Sequence, residues 1–237
     1  MTLLKSRVPF TLQNPYRVVR PKTSKIIFLS CEGSVTEDAV FTAPKCRTQE
    51  QAKMLSKVRP KHLVERIDQF KAEKDDIYQF EEYPEDEFWI LTDVDQNWSN
   101  QVIDPQNTKT YKEEWNDAIE ACKEKGYHYA ISNPFFEIWL LLHHDSPSEE
   151  DKSFAVSDHH SYEKTDHFRT RLSELGAPLK DKKHINSSNY SNEKIKTAVR
   201  RAEELHVDKT NLCPQYFATT VYLLLKKLFE LLPEEIT

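Results

Sequence analysis

The fold is decided by the stretch Glu87-Phe88-Trp89-Ile90-Leu91-Thr92-Asp93-Val94-Asp95. Its apolar residues, rich in aromatic and β-branched types, predict a short strand that is buried on both faces, as in a parallel sheet. The strand runs directly into two acids, Asp93 and Asp95. Because positions i and i+2 of an extended chain face the same way, the two carboxylates are expected to point together.

Strands and helices alternate around this stretch. Residues 25–31 and 127–132 form two further short apolar runs of strand character. Helical spacing of apolar residues predicts helices over 61–73, 110–125 and 135–144, the second of them closed by a glycine. Strands that alternate with helices are typical of right-handed crossovers, so we expect an α/β fold with a mostly parallel sheet.

The remaining segments complete a provisional map of the chain. Additional helices are predicted over 36–41, 49–58, 161–176, 191–206 and 214–232. A short strand is a candidate at 76–80, and the polar segment 145–160 is interpreted as loop. Three regions follow from this map: an N-terminal arm at 1–24, an α/β core at 25–145, and a helical C-terminal part at 146–237 that packs on the same domain.

The composition of the chain limits the kinds of protein to which it can belong. With 38% hydrophobic residues among 237, the chain can form a real core, and its net charge of −6 argues against coating nucleic acid through bulk electrostatics. We find neither a signal peptide nor an apolar run of about 18 residues, so no membrane span is expected. The cysteine spacing suggests neither zinc nor disulfides, and a cytoplasmic location with reduced thiols is the simplest interpretation.

Acidic residues follow two consecutive predicted strands. Glu32-Gly33 comes after the first strand, and Asp93 with Asp95 comes after the second. Ligand chemistry in open parallel sheets collects at the carboxyl ends of strands, and Mg²⁺ prefers oxygen ligands. Either element alone is common: an acid pair after a strand is often incidental, and Gly33 can serve a turn only. The two together predict a metal site.

At this point the residues resemble a family. The matching blocks are Cys31-Glu32-Gly33-Ser34-Val35-Thr36-Glu37 with Phe41, Phe88 to Asp95, and Ser132-Asn133-Pro134-Phe135-Phe136-Glu137-Ile138-Trp139-Leu140-Leu141-Leu142-His143. The last block is similar, almost position for position, to the S-N-P-x-F-E-x-W-L-L-L-H signature of RloB-like proteins. A weaker block, from Asn211 to Leu228, is similar to their C-terminal N-P-x-T-x-V helix.

The resemblance implies a Toprim fold and a metal-dependent phosphodiester chemistry. By matching positions, Glu32, Asp93 and Asp95 would be catalytic, and the Mg²⁺ (or Mn²⁺) ligands would be Glu32, Glu37, Asp93, Asp95 and Glu137. Supporting roles would fall to Gly33, Asn133 and His143. Relatives in OLD-like and PARIS systems imply a nuclease effector of anti-phage defence that works with an ABC-type or AAA-like ATPase encoded nearby.

Several alternatives stay open at the level of the sequence. The substrate would be DNA or a structured RNA such as tRNA, contacted by a basic run at Lys180, Lys182 and Lys183 that can equally be a solvated surface. His143 can serve packing or touch the site. The apolar face of 216–232 is expected in the core, although exposure would suit an ATPase partner or a second copy of the chain. The rival function is a non-catalytic regulatory or scaffold subunit of the ATPase.

Overall fold

The structure is a computed structural model that describes residues 26–32, 60–78, 80–94, 100–104, 107–156, 161–180 and 184–230. The strands, in chain order, are β1 (Ile27–Cys31), β2 (Glu87–Asp93), β3 (Val102–Asp104), β4 (Asn107–Thr110), β5 (His128–Asn133) and β6 (Ala218–Thr219). The helices are α1 (Pro60–Tyr78), α2 (Tyr111–Lys125), α3 (Glu137–Leu142), α4 (Glu149–Val156), α5 (Ser161–Glu174), α6 (Asn192–Leu205) and α7 (Val221–Glu230). Short 3₁₀ turns lie at Phe80–Glu82 and Ser187–Asn189.

A four-stranded sheet in the order β1–β2–β5–β6 is the centre of the fold. β1 pairs with β2 and β2 pairs with β5 in parallel, whereas β6 is antiparallel to β5. β3 and β4 form a separate antiparallel pair. The prediction of an α/β fold with a mostly parallel sheet is therefore confirmed.

Both faces of β2 are buried, which explains its continuous apolar sequence. Trp89 and Leu91 belong to a hydrophobic cluster with α3, α5, α6 and α7, whereas Phe88 and Ile90 belong to a second cluster with α1 and α2. Because successive side chains of a strand point to opposite faces, one strand supplies both clusters. Helices thus cover the sheet on each side.

Local signals account for α2. Thr110 accepts a hydrogen bond from the Glu113 backbone, and the Glu113 side chain accepts one from the backbone of Thr110, which forms a capping box. Gly126 ends the helix at φ 69°, a left-handed conformation that favours glycine. The prediction of a helix closed by this glycine is confirmed.

Some predicted segments were wrong. Of the candidate strand at 76–80, residues 76–78 lie instead in the last turn of α1 and Phe80 begins a 3₁₀ turn, whereas residue 79 lies outside the described residues. The supposed loop at 145–160 contains α4, which begins where Ser148 and Asp151 exchange hydrogen bonds through their backbone N–H groups and side chains. Part of the predicted helix 214–232 is β6, because Thr219 and Ala218 pair with β5.

Other expectations have mixed outcomes. The apolar face of α7 is in the core, with Val221, Leu224, Leu225 and Leu228 buried. The arm at 1–24 and the helices at 36–41 and 49–58 lie outside the described residues. The division into regions at 25–145 and 146–237 stays a prediction. Among the helices that the structure describes, none combines the length and the apolarity needed to cross a bilayer.

Candidate functional site

The carboxyl ends of β1, β2 and β5 lie side by side at one edge of the sheet. Cys31, the last residue of β1, is in register with Leu91, and Asp93, the last residue of β2, is in register with Ser132 of β5. The Glu32 backbone continues the pairing, since its N–H donates to the Leu91 carbonyl over 3.0 Å. Glu32 and Asp93 therefore meet at this edge, which we call the acidic edge.

The carboxylate of Glu32 is held by the end of β2. Its Oε2 accepts a hydrogen bond from the Thr92 hydroxyl over 2.8 Å and another from the Asp93 backbone N–H over 3.2 Å. Thr92 itself is buried, so its hydroxyl is a fixed donor. Two donors on one oxygen orient the Glu32 side chain before any ligand binds.

Three residues that the sequence assigns to the site cannot be placed. Gly33, Glu37 and Asp95 lie outside the described residues. Within the described parts of the chain, no group of three or more His, Cys, Asp or Glu side chains is arranged to hold a metal ion. The structure thus brings together two of the predicted ligands, Glu32 and Asp93.

Sequence reasoning missed a cation that lies at the end of β1. Arg66, on α1, donates from Nη1 to the carbonyl of Cys31 over 3.4 Å. The Arg66 Nε atom is buried without a hydrogen-bond partner. Its guanidinium therefore lies at the end of β1, one residue before the acid. In the sequence, the signal was weak: Arg66 falls between the apolar positions Val64 and Ile67 of a helix that packs on the sheet.

Asn133 ties the end of β5 to a C-terminal loop. Its Nδ2 donates to the Pro214 carbonyl over 2.8 Å. The adjacent strand β6 adds the buried pair of Ser132 and Thr219 hydroxyls, 3.0 Å apart. Asn133 thus fixes the loop that precedes β6 against the acidic edge, and the supporting role expected of it in the site stays a prediction.

Glu137 is paired with a basic side chain. Oε1 of this acid, at the start of α3, accepts a hydrogen bond from Arg169 Nη2 over 3.0 Å, and the Glu137 side chain is 11% exposed. Arg169 also lies 3.5 Å from Asp166 and comes from α5, far along the chain. No local pattern in the sequence indicates this pairing. Glu137 is therefore positioned by α5 at the beginning of α3.

His143 is part of the packing at the end of α3. It is buried, and its Nδ1 donates to the Trp139 carbonyl over 2.8 Å. Its ring lies 4.8 Å from that of Trp139 and 4.9 Å from that of Tyr190, in edge-on geometry. Burial lowers the pKa of His143 to about 3, so the ring is neutral at ordinary pH.

The basic run is only partly described. Lys180 is exposed, and its backbone pairs with His184 in an isolated bridge. Lys182 and Lys183 lie outside the described residues. The contact of this run with nucleic acid stays a prediction.

A family model matches most of the chain. The model of a family described as RloB-like protein matches residues 27–228 of this chain. No curated protein and no solved structure matches it.

Proposed function

The chain belongs to the RloB-like family, and from this membership together with the acidic edge we propose that it is a divalent-metal-dependent nuclease of the Toprim type. The observation that carries the proposal is the contact of Glu32 with Thr92 and Asp93. It holds the Glu32 carboxylate against the backbone of Asp93, at the adjoining ends of two strands, where ligand chemistry collects in parallel sheets. The proposal extends to Asp95 and Glu37, which follow these acids in the sequence.

The donor set fits a hard cation. Mg²⁺ is bound through one or two carboxylates and keeps waters or phosphate oxygens as its other ligands. Glu32 and Asp93 supply such carboxylates, and both are partly exposed, so the acidic edge is accessible. When bound there, Mg²⁺ or Mn²⁺ would stabilise charge on a phosphodiester and acidify an attacking water.

The residues of the chain itself have distinct parts in this proposal. Thr92 holds the Glu32 carboxylate, so that the acid keeps its position as ligands exchange. Arg66 presents a guanidinium at the end of β1, at the carbonyl of the residue before Glu32, where planar N–H donors suit a phosphate oxygen. One cation beside a cluster of acids offsets the repulsion that an anionic substrate would meet there.

The biological setting is also part of the proposal. We infer from family membership an effector of anti-phage defence, with an ABC-type or AAA-like ATPase as partner and DNA or a tRNA-like RNA as substrate. The experiment incubates the purified chain, alone and with the ATPase of its locus, with end-labelled DNA and RNA and with Mg²⁺, Mn²⁺ or EDTA. We expect cleavage that requires the metal.

Matched variants decide the assignment. Glu32→Gln and Asp93→Asn keep the shape of the side chains and remove charge, so each is expected to abolish cleavage. Full cleavage by both variants would overturn the proposal. If calorimetry shows no divalent metal bound at millimolar concentration, the non-catalytic subunit of the ATPase becomes the better interpretation.

A further inference from the structure

Tyr216 is an aromatic residue that the fold leaves in solvent. Its side chain is 80% exposed, although the next residue, Phe217, is buried in the core. A single exposed aromatic ring is common on protein surfaces, but near a site that acts on nucleic acid such a ring can stack on a base. The position of Tyr216 relative to the acidic edge therefore matters.

The register of β6 places Tyr216 beyond that edge. Ala218 pairs with Asn133, the last residue of β5, and the strands are antiparallel. The chain before Ala218 therefore continues past the end of β5, on the side where Asp93 ends β2. Neighbouring strands are about 4.8 Å apart, so β6 lies about 10 Å from β2 across the sheet. Tyr216 thus lies at the same end of the sheet as the acids, displaced to one side.

The loop that carries Tyr216 is fixed at several points. Asn133 holds the Pro214 carbonyl over 2.8 Å. Further back, His206 Nε2 donates to the Asn211 carbonyl over 2.8 Å, and the Asn211 side chain accepts from the Cys213 N–H over 3.0 Å. Phe217 anchors the other side in the core. The ring is therefore presented on a loop that is already ordered, which lowers the entropy lost on binding.

We propose that Tyr216 stacks on a base of a single-stranded nucleic acid whose phosphate backbone passes the acidic edge. The proposal rests on the nuclease function proposed above and names the form of its substrate. Aromatic rings stack on every base, so the contact is tolerant of sequence.

The experiment tests whether the Tyr216 ring contacts one particular base of the oligonucleotide. Binding of fluorescent single-stranded oligonucleotides to the full chain is measured in Ca²⁺ in place of Mg²⁺, with an abasic site moved through successive positions. We expect one or two positions at which loss of the base weakens binding to the wild type by about 5- to 100-fold. Tyr216→Ala should weaken binding to the intact oligonucleotide by a similar factor and should be insensitive to an abasic site there.

Two controls separate stacking from other effects. Tyr216→Phe keeps the ring and should bind like the wild type, whereas Val207→Ala changes another apolar side chain, 89% exposed, and should have no effect. Wild-type binding without a sensitive position overturns the stacking proposal, and so does binding by Tyr216→Ala that equals that of the wild type. Metal-dependent cleavage by the same preparations would then leave the nuclease function standing. Absence of both binding and cleavage would overturn the two proposals together.

Discussion

The hydroxyl of Thr92 donates a hydrogen bond to Oε2 of Glu32 over 2.8 Å. Thr92 lies near the end of β2, and Glu32 directly follows β1, the parallel strand beside it. The donor is buried and the acceptor is at the surface of the sheet edge. Such a contact fixes the orientation of the Glu32 side chain, whose three rotatable bonds would otherwise be free to turn. It is the part of the candidate site most open to a precise test.

Replacement of Thr92 by valine removes the donor and keeps the shape of the side chain. The Asp93 N–H still contacts Glu32, so we expect the acid to be loosened rather than lost. Removing an outer partner of a metal ligand commonly lowers metal affinity by about 10- to 100-fold. Titration of Mn²⁺ by calorimetry measures this loss, and Thr92→Ser should restore most of the affinity. An unchanged affinity in Thr92→Val would contradict a role for this contact in metal binding.

Arg66 is expected to act on the substrate rather than on the metal. In Arg66→Met, loss of a positive charge near the reacting phosphate should lower the cleavage rate by about 10²- to 10³-fold. The affinity for Mn²⁺ should not fall, because Arg66 contacts the Cys31 carbonyl and is not a metal ligand.

Two variants make the Arg66 test specific. Arg66→Lys keeps the charge without the planar fork and should have intermediate activity. Arg200→Met removes an exposed arginine that pairs with Glu204 over 2.8 Å, and it should cleave normally. Normal cleavage by Arg66→Met would exclude the proposed phosphate contact.

The elements that the sequence predicts well are those with local causes. β2 was predicted from its run of apolar residues, because two buried faces require such a run. α2 was predicted because Thr110 and Gly126 mark its ends. The meeting of Glu32 and Asp93 at one edge was predicted in turn, because it follows from parallel strand order alone.

The elements that the sequence does not predict depend on contacts with residues far away in the chain. β6 is only two residues long and exists through pairing with β5, which lies 87 positions away at Ser132 and Thr219. α4 begins with a local signal, the hydrogen bonds between Ser148 and Asp151, but its sequence is acidic and weakly amphipathic, and Asp151 is also held from α5 by His167 over 2.9 Å. The position of Arg66 depends in the same way on the packing of α1 against the sheet.

The Glu137–Arg169 pair should contribute to stability because both members are largely withdrawn from solvent. Arg169→Met removes the charged hydrogen bond from Arg169 to the Glu137 carboxylate, and a hydrogen bond to a charged group contributes about 1.5–3 kcal/mol. Glu137→Gln should cost less, because the amide oxygen still accepts from Arg169. Urea unfolding measures both, with Arg200→Met as an exposed control expected to change stability by less than about 1 kcal/mol. Equal stability of Arg169→Met and the wild type would show that the pair contributes nothing.

His143 should make the fold sensitive to mild acid. Burial lowers its pKa to about 3, and burial likewise lowers the pKa of the adjacent His144 to about 4, with Lys194 acting in the same direction. An unfolded histidine has a pKa of about 6.5, so below that pH the unfolded state binds a proton that the folded state does not. The free energy of unfolding should therefore be fully retained above pH 6.5 and fall below it, with His143 contributing a slope of about 1 kcal/mol per pH unit near pH 5.5.

Urea unfolding between pH 7 and 5 measures the slope. His143→Asn should reduce this slope, whereas His184→Asn, which changes an exposed side chain, should not. An identical slope in the wild type and both variants would refute a neutral, buried His143.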